Sequence, residues 1–196
     1  MTLFDLGLPY DFNLGDGVII NAHEYHCANQ ATESEVQRLL GLGPDALVHN
    51  DCYIFEDGGE ERRIAVGIWQ VPERLCVGHY TDDFKILPLH WGLNSVSQTA
   101  SLLVKYARME EESLPQAVRI ERGSGTDFVY PEQTLVHVAI ITRWRRASVT
   151  AEVYSYRNRE QIMSGEIVLS MDIAIPHKPA NASWKQVIQE QEAKGV

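Results

Sequence analysis

From residue 89 to about residue 110 the chain combines apolar residues at helical spacing with a high density of small ones. Leu89, Leu93, Val96, Ala100, Leu103, Val104 and Ala107 recur at intervals of three and four, which puts them on one face of a long helix. Gly92, Ser95, Ser97, Thr99, Ala100 and Ser101 keep that helix thin. Serine and threonine are not the best helix formers. Their use here predicts a helix that other backbone approaches closely, as it would inside a curved sheet.

The flanking sequence supplies such a sheet. Segments 117–122, 134–142, 147–156 and 161–175 are β-branched and mostly alternating, and therefore read as strands. Tyr130-Pro131-Glu132-Gln133 and Arg157-Asn158-Arg159-Glu160 are the turns between them. Upstream, 46–55 and 63–71 read as a hairpin turning at Asp57-Gly58-Gly59. A helix over 32–40 precedes it, with Thr32 or Ser34 as cap and Glu33 and Glu35 in its first turn. Gly41 and Gly43-Pro44 end that helix. Leu75-Cys76-Val77-Gly78-His79 then runs as a strand into a short loop that ends at Pro88. Helix, hairpin, long helix and antiparallel strands predict an α+β fold in which one sheet wraps one helix. Residues 1–31 read as an N-terminal extension, with a short strand at 18–20. Residues 32–175 form the main domain. Residues 176–196 are a tail, helical over 183–193, that can dock through Trp184, Val187 and Ile188.

Composition narrows the function. With 196 residues, 44% hydrophobic and 22% charged, the chain has the make-up of one globular domain with a sizeable core. A net charge of −10 argues against a general nucleic-acid binder, which needs a basic face. No apolar run approaches the roughly 20 residues that span a bilayer. No basic segment precedes the apolar residues of the N-terminus, so the expected location is cytoplasmic, with no membrane. Cys27, Cys52 and Cys76, an odd set without a CxxC pair, read as free thiols in a reducing compartment. His23, His26 and Cys27 lie close together but match no zinc spacing, so neither a metal nor a cofactor is expected.

The stretch from Gly78 to Gln98 resembles a known family. Gly78-His79-Tyr80, a short loop, and Leu87-Pro88-Leu89 opening a helix are similar to the dehydratases that act on β-hydroxyacyl-acyl-carrier protein in bacterial fatty-acid synthesis. There a strand ends in Gly-His-Phe, and Met-Pro-Gly leads into a buried helix. Pro88, Gly92, Leu93 and Gln98 fall where the dehydratase/isomerase branch has its helix motif. The resemblance covers about residues 33–175. It includes Pro131-Glu132-Gln133-Thr134-Leu135 as the turn into a central strand and Gly165-Glu166-Ile167-Val168 in a closing strand.

This resemblance implies the hotdog fold, an antiparallel sheet wrapped around a long central helix. It also implies at least a dimer, as homodimer or as heterodimer with a related hotdog subunit, and a substrate that is an acyl thioester of acyl-carrier protein or CoA. It makes His79 the base that removes the α-proton. It lines the acyl pocket with Tyr80, Leu89, His90, Trp91 and Gln98. The family's catalytic carboxylate falls at Asn94, which can donate and accept hydrogen bonds but cannot exchange a proton. The family's glycine after the proline is Leu89. Three functions follow as expectations: a 3-hydroxyacyl-thioester dehydratase with altered acid catalysis, a degenerate subunit that binds acyl thioesters or supports a catalytic partner, and an acyl thioesterase. An acidic carrier protein would need local basic groups on a −10 chain, and Lys85, Arg143, Arg145 and Arg146 are the candidates.

Overall fold

The computed structural model describes residues 1–13, 17–42, 49–57, 63–79, 81–109, 114–171 and 182–195, and the side chains of these apart from Asp57, His79, Thr81 and Asp82. In chain order the strands are β1 (Asp11–Asn13), β2 (Ile19–Asn21), β3 (Tyr25–Thr32), β4 (Asp51–Asp57), β5 (Arg63–Gln70), β6 (Val77–His79), β7 (Thr81–Ile86), β8 (Gln116–Gly125), β9 (Thr134–Trp144), β10 (Ser148–Arg157) and β11 (Glu160–Ser170). The helices are α1 (Glu33–Leu39), α2 (Leu89–Ala107) and α3 (Trp184–Lys194).

Seven strands form one antiparallel sheet in the order β3-β4-β5-β9-β10-β11-β8. The helix expected after Pro88 is α2. It packs most heavily on β9 and β5 and also meets β4, β8, β10 and β11, so the sheet curls around it. The period of two along each strand separates the two faces. Cys52, Ile54, Ala65, Ala139, Ala151 and Val153 pack with Val96, Ala100, Leu103 and Val104 of α2. Their neighbours Phe55, Ile64, Val66, Val136, Val138, Ile140, Tyr154 and Tyr156 turn to the opposite face.

That opposite face is covered by the N-terminal segment. Leu3, Leu8, Phe12, Ile20, Ala22 and Tyr25 bury it. Because β5 and β9 are covered on both sides, they read as nearly continuous apolar runs rather than as clean alternation. The fold is therefore three layers: N-terminal segment, sheet and α2. β3, for which the sequence pattern held no signal, is an edge strand of the main sheet. It ends at Thr32, whose backbone N–H and hydroxyl both donate to the Glu35 carboxylate at 2.9 Å and start α1.

At the far end of the chain α3 docks on α2. Trp184 is fully buried, donates its indole N–H to the Leu102 carbonyl at 3.1 Å, and meets the Tyr106 ring edge-on at 5.4 Å. Ser183 caps the helix, and Arg38 of α1 pairs with Glu190 at 2.9 Å.

One expectation is corrected. The segment after His79 is not a loop but β7, which returns antiparallel on β6 with Val77 opposite Ile86 and Gly78 opposite Lys85. Thr81-Asp82-Asp83 carry no strand signal because three polar residues in a row lack the alternation that marks a half-buried strand. Phe84 on β7 meets the rings of Phe128 and Tyr130 edge-on. Tyr80, the stop at Gly43-Pro44, the turn at Gly58-Gly59 and the strand expected over 172–175 lie outside the described residues. Among the described residues, no helix is long and apolar enough to cross a membrane.

Candidate functional site

With 3.6 residues per turn, α2 presents three different stripes to its surroundings. Leu89 and Gly92 face one cavity. Trp91, Asn94 and Gln98 face another. Ser95 and Thr99 face the sheet. This rotation separates residues that stand together in the sequence.

The first cavity, about 450 Å³, lies between the β6–β7 hairpin, the start of α2 and strands β9–β11. Val77, Leu89 and Phe128 are exposed and form its mouth. Leu87, Gly92, Leu135, Ser155, Ile162 and Met163 are buried and form its inner end. The wall is almost wholly apolar. Among the described residues it contains one carboxylate, Asp127, which accepts from the Arg157 guanidinium and from Phe128 N–H at 2.8 Å. The guanidinium holds the Asp127 carboxyl below the usual range, so it is a fixed anion and not a proton donor at neutral pH.

The second cavity, about 590 Å³, is on the other side of α2. Arg74, Asn94, Ser97, Gln98 and Gln116 line it together with Leu40, Leu42, Leu75, Trp91 and Leu114, and no Asp or Glu is among its described lining residues. Asn94 is exposed, and its carbonyl accepts from Ser97 Oγ at 2.7 Å. His90 is exposed, with its ring against Trp91 at 5.2 Å. Within one chain, then, Leu89 belongs to the first cavity, and Trp91, Asn94 and Gln98 to the second. His79 is the last residue of β6, whose Val77 lies at the mouth of the first cavity.

The four basic candidates stand on two different elements. Lys85 sits on the β6–β7 hairpin and pairs with Glu73 at 2.7 Å. Arg143, Arg145 and Arg146 are exposed at the β9–β10 turn. They lie roughly 25 Å along β9 from Leu135, at a rise of about 3.3 Å per residue. The three cysteines are free, and burial pushes each thiol up, so none is an activated nucleophile.

A polar row that no sequence motif marks lies at the centre of the fold. Gly67, His137 and Ser155 are opposite one another on β5, β9 and β10 and face α2. His137 and Ser155 are fully buried. His49 comes in from the chain before β4 and fills the space above Gly67: a Cβ at residue 67 would stand 2.2 Å from its Nδ1. His49 Nε2 lies 2.9 Å from the Ser95 carbonyl oxygen and 3.3 Å from Ser95 Oγ, and its Nδ1 lies 3.4 Å from Thr99 Oγ1. Ser95 Oγ is 2.8 Å from His137 Nε2, and His137 Nδ1 is 2.8 Å from Ser155 Oγ. Burial drives the His49 pKa down to about 4 and that of His137 well below its ordinary value, with His49 adding to the second shift. Both rings are neutral. Ser95 and Thr99, which read as small packing residues, are hydrogen-bond partners of this row. The only sequence signal for it was a histidine and a serine on otherwise apolar strand faces, a pattern usually satisfied by simple packing.

Gly67 is the steric key to the row. Gly67→Ala is expected to cost about 1–3 kcal/mol as an overpacked substitution, read as a lower urea midpoint. An unchanged midpoint would mean that the His49 ring moves aside freely.

No family model matches the chain, and no curated protein matches its sequence. Solved structures do match its fold. A chain of the dehydratase heterocomplex ApeI:P from Xenorhabdus doucetiae aligns over 80% of this chain and 96% of its own, at TM-score 0.55 and 12% identity. The fluoroacetyl-CoA-specific thioesterase FlK aligns over 71% and 99%, at TM-score 0.49 and 11% identity. A thioesterase superfamily member from Thermus thermophilus aligns over 69% and 93%, at TM-score 0.48 and 13% identity. The chain has the hotdog fold, as its sequence resemblance implied; at these identities the likeness is one of fold alone.

Proposed function

We propose that the chain binds the acyl group of a CoA or carrier-protein thioester in the first cavity and acts on it as a 3-hydroxyacyl-thioester dehydratase or hydratase, with His79 as the base. The first cavity carries this reading. It is apolar inside, and its mouth lies beside the strand that ends in His79 and the first turn of α2. An acyl chain entering it gains about 0.8 kcal/mol per buried CH₂. The thioester would lie beside the first turn of α2, between the mouth and the inner end, where the positive end of the helix dipole favours the enolate-like charge that forms as the α-proton leaves. A histidine suits that proton transfer because its ordinary pKa lies near working pH.

Asn94 faces the second cavity of its own chain, which favours a site shared between two subunits. β8 offers an edge for such pairing: it is ten residues long, and all but two of them are exposed. An Asn94 amide reaching a partner's site would hold the leaving hydroxyl without protonating it.

Among the described lining residues of the two cavities no carboxyl is available as a proton donor, which favours a second reading. Asn94 cannot act as an acid, and Asp127 is held ionised. A subunit that binds acyl thioesters and supports a catalytic partner would need neither group as an acid. The dehydratase heterocomplex ApeI:P, one chain of which shares this fold, is by its name an assembly of unlike chains.

The two readings separate in one assay. The purified protein is incubated with crotonyl and 3-hydroxybutyryl thioesters of CoA and of carrier protein, and with longer homologues, while hydration and free thiol are followed separately. Interconversion of the two acyl forms is the expected result. Acyl binding without turnover would replace it with the partner-subunit reading, and thiol release would replace it with a thioesterase.

A further inference from the structure

The direction of every hydrogen bond in the buried row follows from one fixed point. The Ser95 carbonyl oxygen can only accept, so His49 Nε2, 2.9 Å away, carries the proton. His49 is neutral, so its Nδ1 is an acceptor, and the Thr99 hydroxyl donates to it. Ser95 Oγ lies 3.3 Å from the same Nε2–H and can only accept there. Among the described residues, the one acceptor left for the Ser95 hydroxyl proton is His137 Nε2, at 2.8 Å. His137 is also neutral, so its proton is on Nδ1 and is donated to Ser155 Oγ at 2.8 Å. Ser155 thus receives a hydrogen bond and keeps its own proton free to donate.

Ser155 is fully buried and belongs to the inner wall of the first cavity. The register of β10 with β11 shifts between Ser155 and Tyr156, a bulge of the kind that re-aims a side chain. Leu135, Ile162 and Met163 share that inner wall with Ser155. Among the described residues, none of its neighbours accepts its proton. A buried donor with no acceptor is unfavourable, and an acceptor brought in by a ligand relieves it.

We propose that Ser155 is a substrate-binding residue of the first cavity, donating its hydroxyl proton to an oxygen of the bound acyl group, and that His137 is the positioning residue that keeps it a donor. The proposal rests on the reading that this cavity takes an acyl group. The oxygen is either the thioester carbonyl or a 3-hydroxyl. Both are oxygen acceptors of the acyl group, and they are distinguished by ligand choice.

Two measurements test it. The first needs no ligand: imidazole ¹⁵N shifts in the whole protein should show His137 protonated on Nδ1 and His49 on Nε2. If His137 carries its proton on Nε2 instead, Ser155 must donate to it and the proposal fails, whatever the cavity binds. The second compares binding of hexanoyl-CoA and 3-hydroxyhexanoyl-CoA to wild type, Ser155→Ala and the near-isosteric Ser155→Cys, with thermal midpoints to confirm folding. Loss of one hydrogen bond should weaken binding about tenfold in Ser155→Ala and less in Ser155→Cys, which keeps a weak donor. An equal loss for both ligands identifies the thioester carbonyl as acceptor, and a loss confined to the hydroxy ligand identifies the 3-oxygen. Unchanged affinity in a folded Ser155→Ala overturns the role of Ser155 but leaves the acyl cavity standing. Failure of wild type to bind either ligand overturns both.

Discussion

Between pH 7 and pH 5 the folded state is expected to lose roughly 4 kcal/mol of stability through two histidines alone. In the unfolded chain His49 and His137 take up protons near the ordinary histidine value of about 6.5. In the folded chain burial holds His49 at about 4 and His137 well below 6.5, so neither charges in this window. The unfolded state therefore binds more protons than the folded state below pH 6.5. The stabilisation is fully present above that pH and is lost as pH falls towards the folded values, at about 1.4 kcal/mol per unit for each ring. The carboxyls that are shifted, Asp5, Glu73, Asp127 and Glu190, are all lowered, so their own losses come at more acid pH. Urea midpoints at pH 5, 6 and 7 check this, with unfolding near pH 5.5 taking up about two protons. A flat midpoint across the range would mean that the two rings are hydrated or charged in the fold.

Replacing His79 by alanine is expected to reduce interconversion of crotonyl and 3-hydroxybutyryl thioesters on the order of 10²–10⁴-fold, the usual contribution of a general base. The position closes a three-residue strand of a small hairpin, and the seven-stranded sheet does not include that strand, so folding should survive. Asn94→Asp works in the opposite direction. It restores a group that can carry the proton to the leaving hydroxyl, and the rate should rise by a factor within the same range. Steady-state rates of the two variants and of wild type, on one substrate, decide the matter. Full activity in His79→Ala would remove His79 from the chemistry. Loss in His79→Ala with no gain in Asn94→Asp would leave the base in place and show that residue 94 does not stand where the family's acid stands.

Much of the architecture was legible from residue patterns. The helix behind Pro88, the start of α1 at Thr32 or Ser34, the hairpin strands β4 and β5 and the run of strands after residue 116 all follow from local periodicity and turn chemistry. β3 and β7 did not, for one shared reason. Each is an edge or near-edge strand with polar residues such as Asn29, Gln30, Asp82 and Asp83, and the backbone pairing that makes it a strand leaves no mark on side-chain pattern. The same limit applied to the N-terminal segment. Leu3, Leu8, Phe12 and Ile20 are too irregularly spaced to declare a face, yet together they close one side of the sheet.

The candidate site divides along the same line. Residue identities alone put a histidine at the end of a strand, an asparagine where a related family has an acid, and a helix of small residues, and these suffice for the hotdog resemblance. Which cavity each helix residue faces depends on the rotation of α2 against the sheet. That rotation sends Leu89 one way and Asn94 the other. The row of His49, Ser95, His137 and Ser155 depends on still more: strand register that aligns Gly67, His137 and Ser155, and a missing side chain at Gly67 that admits His49. A period of two says that a residue points inward. Only the packed structure says what stands opposite it, because register and helix rotation are set by contacts between segments far apart in the chain.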